Sequence, residues 1–365
     1  MSALSQIVTL LDAENYYSAH QKARTSATRL LAAPRRAPAP SVDTPTPTYD
    51  KKAQEAAELL WETSRRLLEK GQVGSGADLA MMLVNAVWDA RGVSCGDAER
   101  GQIKQIIALI GPTGAWRKSF TDAVFSWSSK TGPTPAGDEA IHGYLGEVLF
   151  KEQDYHTASF HLLVCPTADA ARTLADAFFA WAKLDPEGQA GVGRYAARGT
   201  LSYLESEAIL PARVFLSHFL ALSLAAYPDL SMTHFPFPPA TSALAKSSQA
   251  ESGDELYFTK LASLNFLQLA VRTCQAGSGE TIEKVKQSDG SMKVATGGGR
   301  RAWTSLCTRY EKEVSWLKSG EAREATQAIG LIFFGIKPPR PAGNNMMDML
   351  SGLFGGGGAP AIGAH

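Results

Sequence analysis

The chain has 365 residues, 44% of them apolar, with 36 basic and 36 acidic side chains. That apolar content supports a sizeable core and excludes global disorder. The charge balance, which also holds within residues 1–150 and 151–365 taken separately, argues against a nucleic-acid binder, because counterion release needs a cationic excess.

In chain order, helical periodicity dominates. The opening MSALSQIVTLLDAEN lacks a basic stretch followed by an apolar core, so no signal peptide is expected. Nor does any apolar run reach the ~18 residues that would predict a membrane span. Ile7, Leu10 and Leu11 fall at i, i+3, i+4 and predict a first helix. Leu59, Leu60, Leu67 and Leu68 line one face of a later one. Ile103, Ile106, Ile107 and Ile110 do the same, and Gly111-Pro112 stops that helix. Phe178, Phe179 and Trp181 mark another, as do Phe215, Phe219, Leu220 and Leu222. The expected fold is all-α.

A weak internal repeat is present. Tyr16-x-x-Ala19 follows Glu14-Asn15, and Tyr155-x-x-Ala158 follows Gln153-Asp154, with Leu145-Gly146-x-x-Leu149 upstream. Tyr49-x-x-x-Ala53 is a looser version. This approximates the tetratricopeptide pattern, in which Leu-Gly packs one helix and Tyr…Ala its partner. It predicts an α-solenoid of stacked antiparallel helical pairs, an architecture that presents extended binding surfaces.

Four segments interrupt the helices. Residues 32–48 are rich in Pro, Ala and Thr, residues 236–253 in Pro, Ser and Ala, and residues 277–300 in Gly, Ser and Lys. All three read as loops. The tail, 335–365, is rich in Pro and Gly around an apolar patch of Met346, Met347, Met349, Leu350, Leu353 and Phe354. Leu256-Tyr257-Phe258-Thr259 and Met232-Thr233-His234-Phe235 form either one small β-hairpin in the C-terminal half or extended loop.

Motifs for chemistry are lacking. Gly111-Pro-Thr-Gly114-Ala-Trp-Arg-Lys118-Ser119 has Arg117 where a phosphate-binding loop needs glycine before the lysine. Gly71-Gln-Val-Gly74-Ser-Gly76 has the wrong spacing for a dinucleotide turn and reads as a helix–helix turn. His156 and His161 point about 140° apart on one helix, and no cluster of metal-ligand spacing accompanies His142. Cys95, Cys165, Cys274 and Cys307 form no CxxC, and each sits among apolar residues of helical pattern. They read as reduced, mostly buried thiols of a cytosolic protein. No G-x-S-x-G occurs. No catalytic residue, cofactor or metal is expected, and the chain reads as not an enzyme.

Four stretches carry a resemblance. They are Tyr16-Tyr17-Ser18-Ala19-His20-Gln21-Lys22-Ala23-Arg24-Thr25; Lys70-Gly71-Gln72-Val73-Gly74-Ser75-Gly76-Ala77-Asp78-Leu79; Leu264-Asn265-Phe266-Leu267-Gln268-Leu269 running into Thr273-Cys274-Gln275; and Met346-Met347-Asp348-Met349-Leu350-Ser351-Gly352-Leu353-Phe354. In this order the chain resembles, over nearly its whole length, the fourth Golgi-to-ER-traffic family of the guided entry of tail-anchored proteins pathway. The resemblance implies a cytosolic α-solenoid adaptor. Its N-terminal half, 1–150, would dock a homodimeric targeting ATPase, favour the nucleotide-bound closed form and restrain hydrolysis. Its C-terminal half, 151–334, would clamp the N-terminal segment of a ubiquitin-like-domain protein that recruits a cargo-carrying co-chaperone. Residues 32–48 and 277–300 look expanded relative to the family.

On a helix over 16–31, Tyr16, Ala19, Ala23, Ala27 and Leu30 share the core side, with Tyr17, His20 and Arg24 on its shoulder. Lys22, Arg29, Arg35 and Arg36 add positive charge. Tyr17 beside Arg24 has the composition of an interface hot spot; the alternative is that Tyr17 packs on the preceding helix and Arg24 is a solvated charge. With the resemblance, Tyr16, Tyr17, His20, Arg24 and Asp78 are the ATPase-binding candidates. Asp78 also reads as a helix N-cap or first-turn residue. Leu256, Tyr257, Phe258, Asn265 and Phe266 are the candidates for the ubiquitin-like partner, Phe266 and Leu267 also reading as plain core. The Met-rich patch either folds back on the solenoid or binds a partner. A different class of function is a tetratricopeptide-like module for chaperone C-terminal tails. That would need a repeated Lys…Asn clamp, which the sequence does not show.

Overall fold

In the computed structural model, residues 2–32, 51–236, 255–277, 284–286, 292–294 and 298–337 are described. Among them are fourteen α-helices. These are α1 (Ala3–Asp12), α2 (Tyr16–Leu31), α3 (Lys51–Glu69), α4 (Val73–Met82), α5 (Asp97–Ile110), α6 (Trp116–Thr131), α7 (Glu139–Lys151) and α8 (Tyr155–Val164), then α9 (Ala168–Leu184), α10 (Val192–Glu205), α11 (Ile209–Ala226), α12 (Ala262–Gly277), α13 (Gly298–Tyr310) and α14 (Gly320–Phe334). Helix α4 continues into a wider π-helical turn, Leu83–Asp89, that sets Trp88 on Trp127 at 4.9 Å. Most helices pack on those one or two places away in sequence, α2 on α3, α3 on α4, α7 on α8 and, most extensively, α9 on α11. One apolar core runs without a break from Ile7 to Ile329. This is the expected α-solenoid.

The internal repeat corresponds to a recurring turn. Glu14, Gly71, Gln153 and Glu207 have φ of 54°, 72°, 64° and 59°. The residue after each, Asn15, Gln72, Asp154 and Ala208, has φ between −83° and −87° and starts the next helix. The amides of those four residues donate back to Leu10, Leu67, Leu149 and Tyr203 at 2.8, 2.8, 3.0 and 2.9 Å. This bond, reaching back five residues, closes a helix C-terminus in the Schellman manner. Asn15 and Asp154 then cap the following helix, accepting from the amides of Ser18 and Thr157, each cap contributing about 1 kcal/mol. The Leu145-Gly146 pair does what the pattern requires. A Cβ on Gly146 would lie 2.6 Å from Leu162 Cγ, so α7 and α8 approach through it, beside the fully buried Ala158.

Sequence expectation and structure differ in three places. Cys95 lies in the extended linker before α5, not in a helix, and Cys95 and Cys307 are only half-buried, whereas Cys165 and Cys274 are buried. Residues 277–300 are not all loop. β3 (Lys284–Lys286) pairs antiparallel with β4 (Met292–Val294). The expected hairpin does form, β1 (Ser231–Pro236) antiparallel to β2 (Glu255–Thr259). Helix α11 is long and apolar enough by composition to cross a membrane, but it packs on α9, α10 and α12, burying Phe215, Leu216, Phe219 and Leu220. The insertion at 33–48, the loop at 237–253, Arg35, Arg36 and the tail from 338, with its Met-rich patch, lie outside the described residues.

His142 and His161 meet between α7 and α8. His142 Nε2 lies 3.1 Å from the carbonyl of Ala136, which only accepts, so that nitrogen carries the proton. His142 Nδ1 therefore accepts from His161 Nδ1 at 2.7 Å. Phe125 stacks on the His142 ring at 3.8 Å. Burial, and repulsion by His142 whenever its own ring is protonated, push His161 down to about 4, against a smaller upward pull from Asp122 and Asp154. Burial also lowers His142. His156 lies on another side of α8, edge-on to Phe160.

Two outcomes follow. Gly146→Ala is expected to destabilise by about 1–3 kcal/mol through overpacking. Gly101→Ala on α5, where an added Cβ meets nothing within 4 Å, is expected to stabilise by roughly 0.5–1 kcal/mol; urea unfolding reads both. A folded-state pKa below the ordinary 6.5 means that the unfolded chain takes up the proton first. Stability then falls as pH drops from 6.5 towards 4 by up to about 1.4 kcal/mol per unit. In His161→Gln that slope is expected to flatten in a pH series of melting curves.

Candidate functional site

The first candidate site is built by α2 and α4, each started by one of the recurring turns. Ala19, Ala23 and Ala27 are fully buried, which fixes α2 so that Tyr17 stands 75% exposed. Tyr17 therefore does not pack on α1. Tyr16 is half-buried against the core. Asp78 is not a helix cap. Gln72 holds that position, and Asp78 lies in the second turn of α4. The Gly71–Gly76 stretch turns only at Gly71. Gly74 and Gly76 are helical, because a Cβ at Gly76 would lie 2.6 Å from Leu68 Cγ where α3 crosses α4.

The structure brings three of the candidates together. Asp78 Oδ2 accepts from His20 Nε2 at 2.9 Å and from Arg24 Nη1 at 2.5 Å. Burial alone would raise the Asp78 carboxyl, but the hydrogen bonds and charges of Arg24 and His20 outweigh it and hold it below the usual range. The Arg24 side chain stays 51% exposed and that of His20 only 13%. The result is a pre-paired, partly solvated charge cluster beside a projecting tyrosine. Arg24 is thus not the merely solvated charge of the alternative reading.

The second site lies where β2 crosses α12. Asn265 Oδ1 accepts from the Thr259 amide and Asn265 Nδ2 donates to the Thr259 carbonyl, both at 2.8 Å. One turn on, Gln268 Oε1 accepts from the Tyr257 amide at 2.9 Å and its Nε2 donates to the Tyr257 carbonyl at 2.7 Å. Two side-chain amides thereby replace a third strand along the outer edge of β2. That edge is closed to an added peptide, so Asn265 positions the hairpin rather than offering a contact. Phe266 is fully buried, tilted against Tyr310 at 5.7 Å and edge-on to Trp316 at 6.3 Å; it is core. Leu256, Tyr257 and Phe258 remain half-buried. Leu256 and Tyr257 line a groove of about 440 Å³ with Leu216, Leu220 and Leu224 of α11 and Val271 of α12. Phe258 stands outside it, edge-on to Phe235 at 5.7 Å. Gln268 and the α11 leucines were missed by sequence reasoning, although Gln268 belongs to the same L-N-F-L-Q-L stretch.

A stack of helical pairs carrying a charged cluster on α2 and α4 and a groove with an apolar wall and a polar rim under a hairpin defines a protein-binding solenoid. The family model described as Golgi to ER traffic protein 4 matches residues 50–354, and the chain belongs to that family. It is 28% identical over 358 residues to Golgi to ER traffic protein 4 of Aspergillus fumigatus, covering 93% of this chain and 86% of that one. It is 23% identical to the Schizosaccharomyces pombe protein of the same name, covering 94% and 92%. The crystal structure of C. therm. Get4 superposes with a TM-score of 0.71 at 26% identity over 100% of both chains. Membership gives the chain a role in targeting tail-anchored proteins to the endoplasmic reticulum, in a family of adaptors.

In an Asn265→Ala, Gln268→Ala double variant, the Tyr257 and Thr259 amides lose their acceptors. Their hydrogen exchange is expected to quicken about tenfold or more, with about 1–3 kcal/mol of local protection lost per bond. The amide of Val271, inside α12, is expected to keep its rate.

Proposed function

We propose that the chain is a cytosolic bridge between two different proteins. The face formed by Tyr17, His20, Arg24 and Asp78 docks the homodimeric targeting ATPase and favours its closed, nucleotide-bound form. The groove between α11, α12 and β2 takes the N-terminal segment of a ubiquitin-like-domain protein, which brings the cargo-carrying co-chaperone. The observation that carries this reading is that the two surfaces differ in chemistry and are separated along the chain by α5–α10. One is charged and pre-paired, suited to orientation and fast association. The other is a concave groove with an apolar wall of α11 leucines and a polar rim of Arg213, Glu255, Gln268 and Arg272, suited to an anchoring side chain. Tyr16 supports the first from beneath, and Phe266 backs the second as core. Halves 1–150 and 151–334 then divide by partner, not by a break in packing.

Binding of the purified chain to each partner separates the two ends. Tyr17→Ala with Arg24→Glu is expected to weaken ATPase binding at least about tenfold, or roughly 1.4 kcal/mol, leaving co-purification with the ubiquitin-like protein intact. Leu256→Asp is expected to show the opposite pattern. Loss of both partners by either variant in a chain of unchanged melting temperature, or of neither, overturns the assignment.

A further inference from the structure

A second groove, of about 470 Å³, runs between α8 and α14 with α10 as its floor. Neither surface of the bridge includes it. Its apolar lining includes Phe160, Leu163, Trp316 and Ala322, and Phe160 is 58% exposed, a costly position for a phenylalanine left in water. Arg198 of α10 also lines it, its guanidinium 5.1 Å from the Trp181 ring. Among the described residues Arg198 has no carboxylate within ion-pair distance.

We propose that this groove is the seat of the chain's own segment 346–354, Met-Met-Asp-Met-Leu-Ser-Gly-Leu-Phe. Four observations select that occupant. The chain leaves α14, one wall of the groove, at Phe334 and continues into Pro338-Pro339-Arg340-Pro341, which cannot extend a helix. Eight residues separate Lys337 from Met346, and the nine steps between them span up to ~30 Å, more than the ~22 Å needed to run back along α14. The family match continues through this segment and stops at Phe354, its last apolar residue. Finally, Asp348 is the segment's one charged residue; of the charged groups lining the groove, Glu205 and Glu321 are acidic and Arg194 already pairs with Glu187, which leaves Arg198 as the complementary charge. Methionine and leucine side chains adapt to an irregular slot such as this. A short tether also gives the segment an effective concentration in the millimolar range, which outcompetes a second copy of the chain.

The test uses the full-length chain with p-benzoylphenylalanine replacing Leu350, irradiated across a hundredfold dilution series and read by peptide mass spectrometry. Crosslinks within one chain to α8 and α14 peptides, at a yield independent of dilution, are expected. Ala322→Trp fills the groove and is expected to cut that yield about tenfold. Should that variant fold poorly, Leu353→Asp is expected to give the same loss from the segment's own side. Covalent dimers that vanish on dilution would assign the groove to a second copy. Crosslinks that form only with an added partner, or that scatter over the surface, would likewise overturn the proposal. ATPase and ubiquitin-like-protein binding, measured in parallel on the same chain, report the bridge independently.

Discussion

The architecture rests on one backbone device, the reversal at Glu14, Gly71, Gln153 and Glu207. Each holds a residue at positive φ while the next amide reaches back five residues. Three of the four residues are not glycine, and that conformation costs of order 1 kcal/mol for such side chains. The cost is met by the closed helix end and the packing of the hairpin that follows. The turns also set register. With α2 starting after Asn15 and α4 after Gln72, His20 and Arg24 fall opposite Asp78. A shift of one residue in either start would rotate the partners by about 100° and leave a carboxylate unpaired.

How much of this the sequence disclosed depends on the range of the interaction. Helix α2 was readable to its ends, because Asn15 caps it and its alanines recur at helical spacing. The core faces of α3 and α5 were readable for the same reason. The charge cluster was only half readable. Its three residues could be named from the resemblance, but Asp78 is 58 positions from His20, and no local pattern announces their meeting. Asp78 looked like a cap because glycines at 74 and 76 suggest a turn. The close crossing of α3 and α4 overrides that propensity. Asn265 looked like interface and Gln268 carried no reading of its own, and only tertiary placement shows their amides holding a strand. The contact of His142 with His161 was hidden likewise, since it depends on how deeply Gly146 lets two helices approach.

Under the proposed assignment, the two ends of the solenoid would solve the problem of recognition differently. At α2 and α4 the acceptor and its donors are satisfied before any partner arrives, so ordering costs little and orientation is set in advance. Under the hairpin, α11 supplies an apolar wall and β2 the facing lip. The lip is held by four hydrogen bonds from two side chains, so the groove keeps its width without needing a larger sheet. Family membership gives the setting, tail-anchored protein targeting, in which such a division of labour is useful.

Packing mostly between helices one or two places apart in the chain also has a kinetic consequence. Contacts of short sequence separation close small loops, with low contact order and rapid assembly. Each helical pair can therefore dock onto its predecessor as it leaves the ribosome, without waiting for the remainder. Among the described helices the longest reach is that of α14, which packs back on α10. Synthesis order and stacking order coincide, and the nascent chain meets its apolar neighbours in the sequence in which it exposes them.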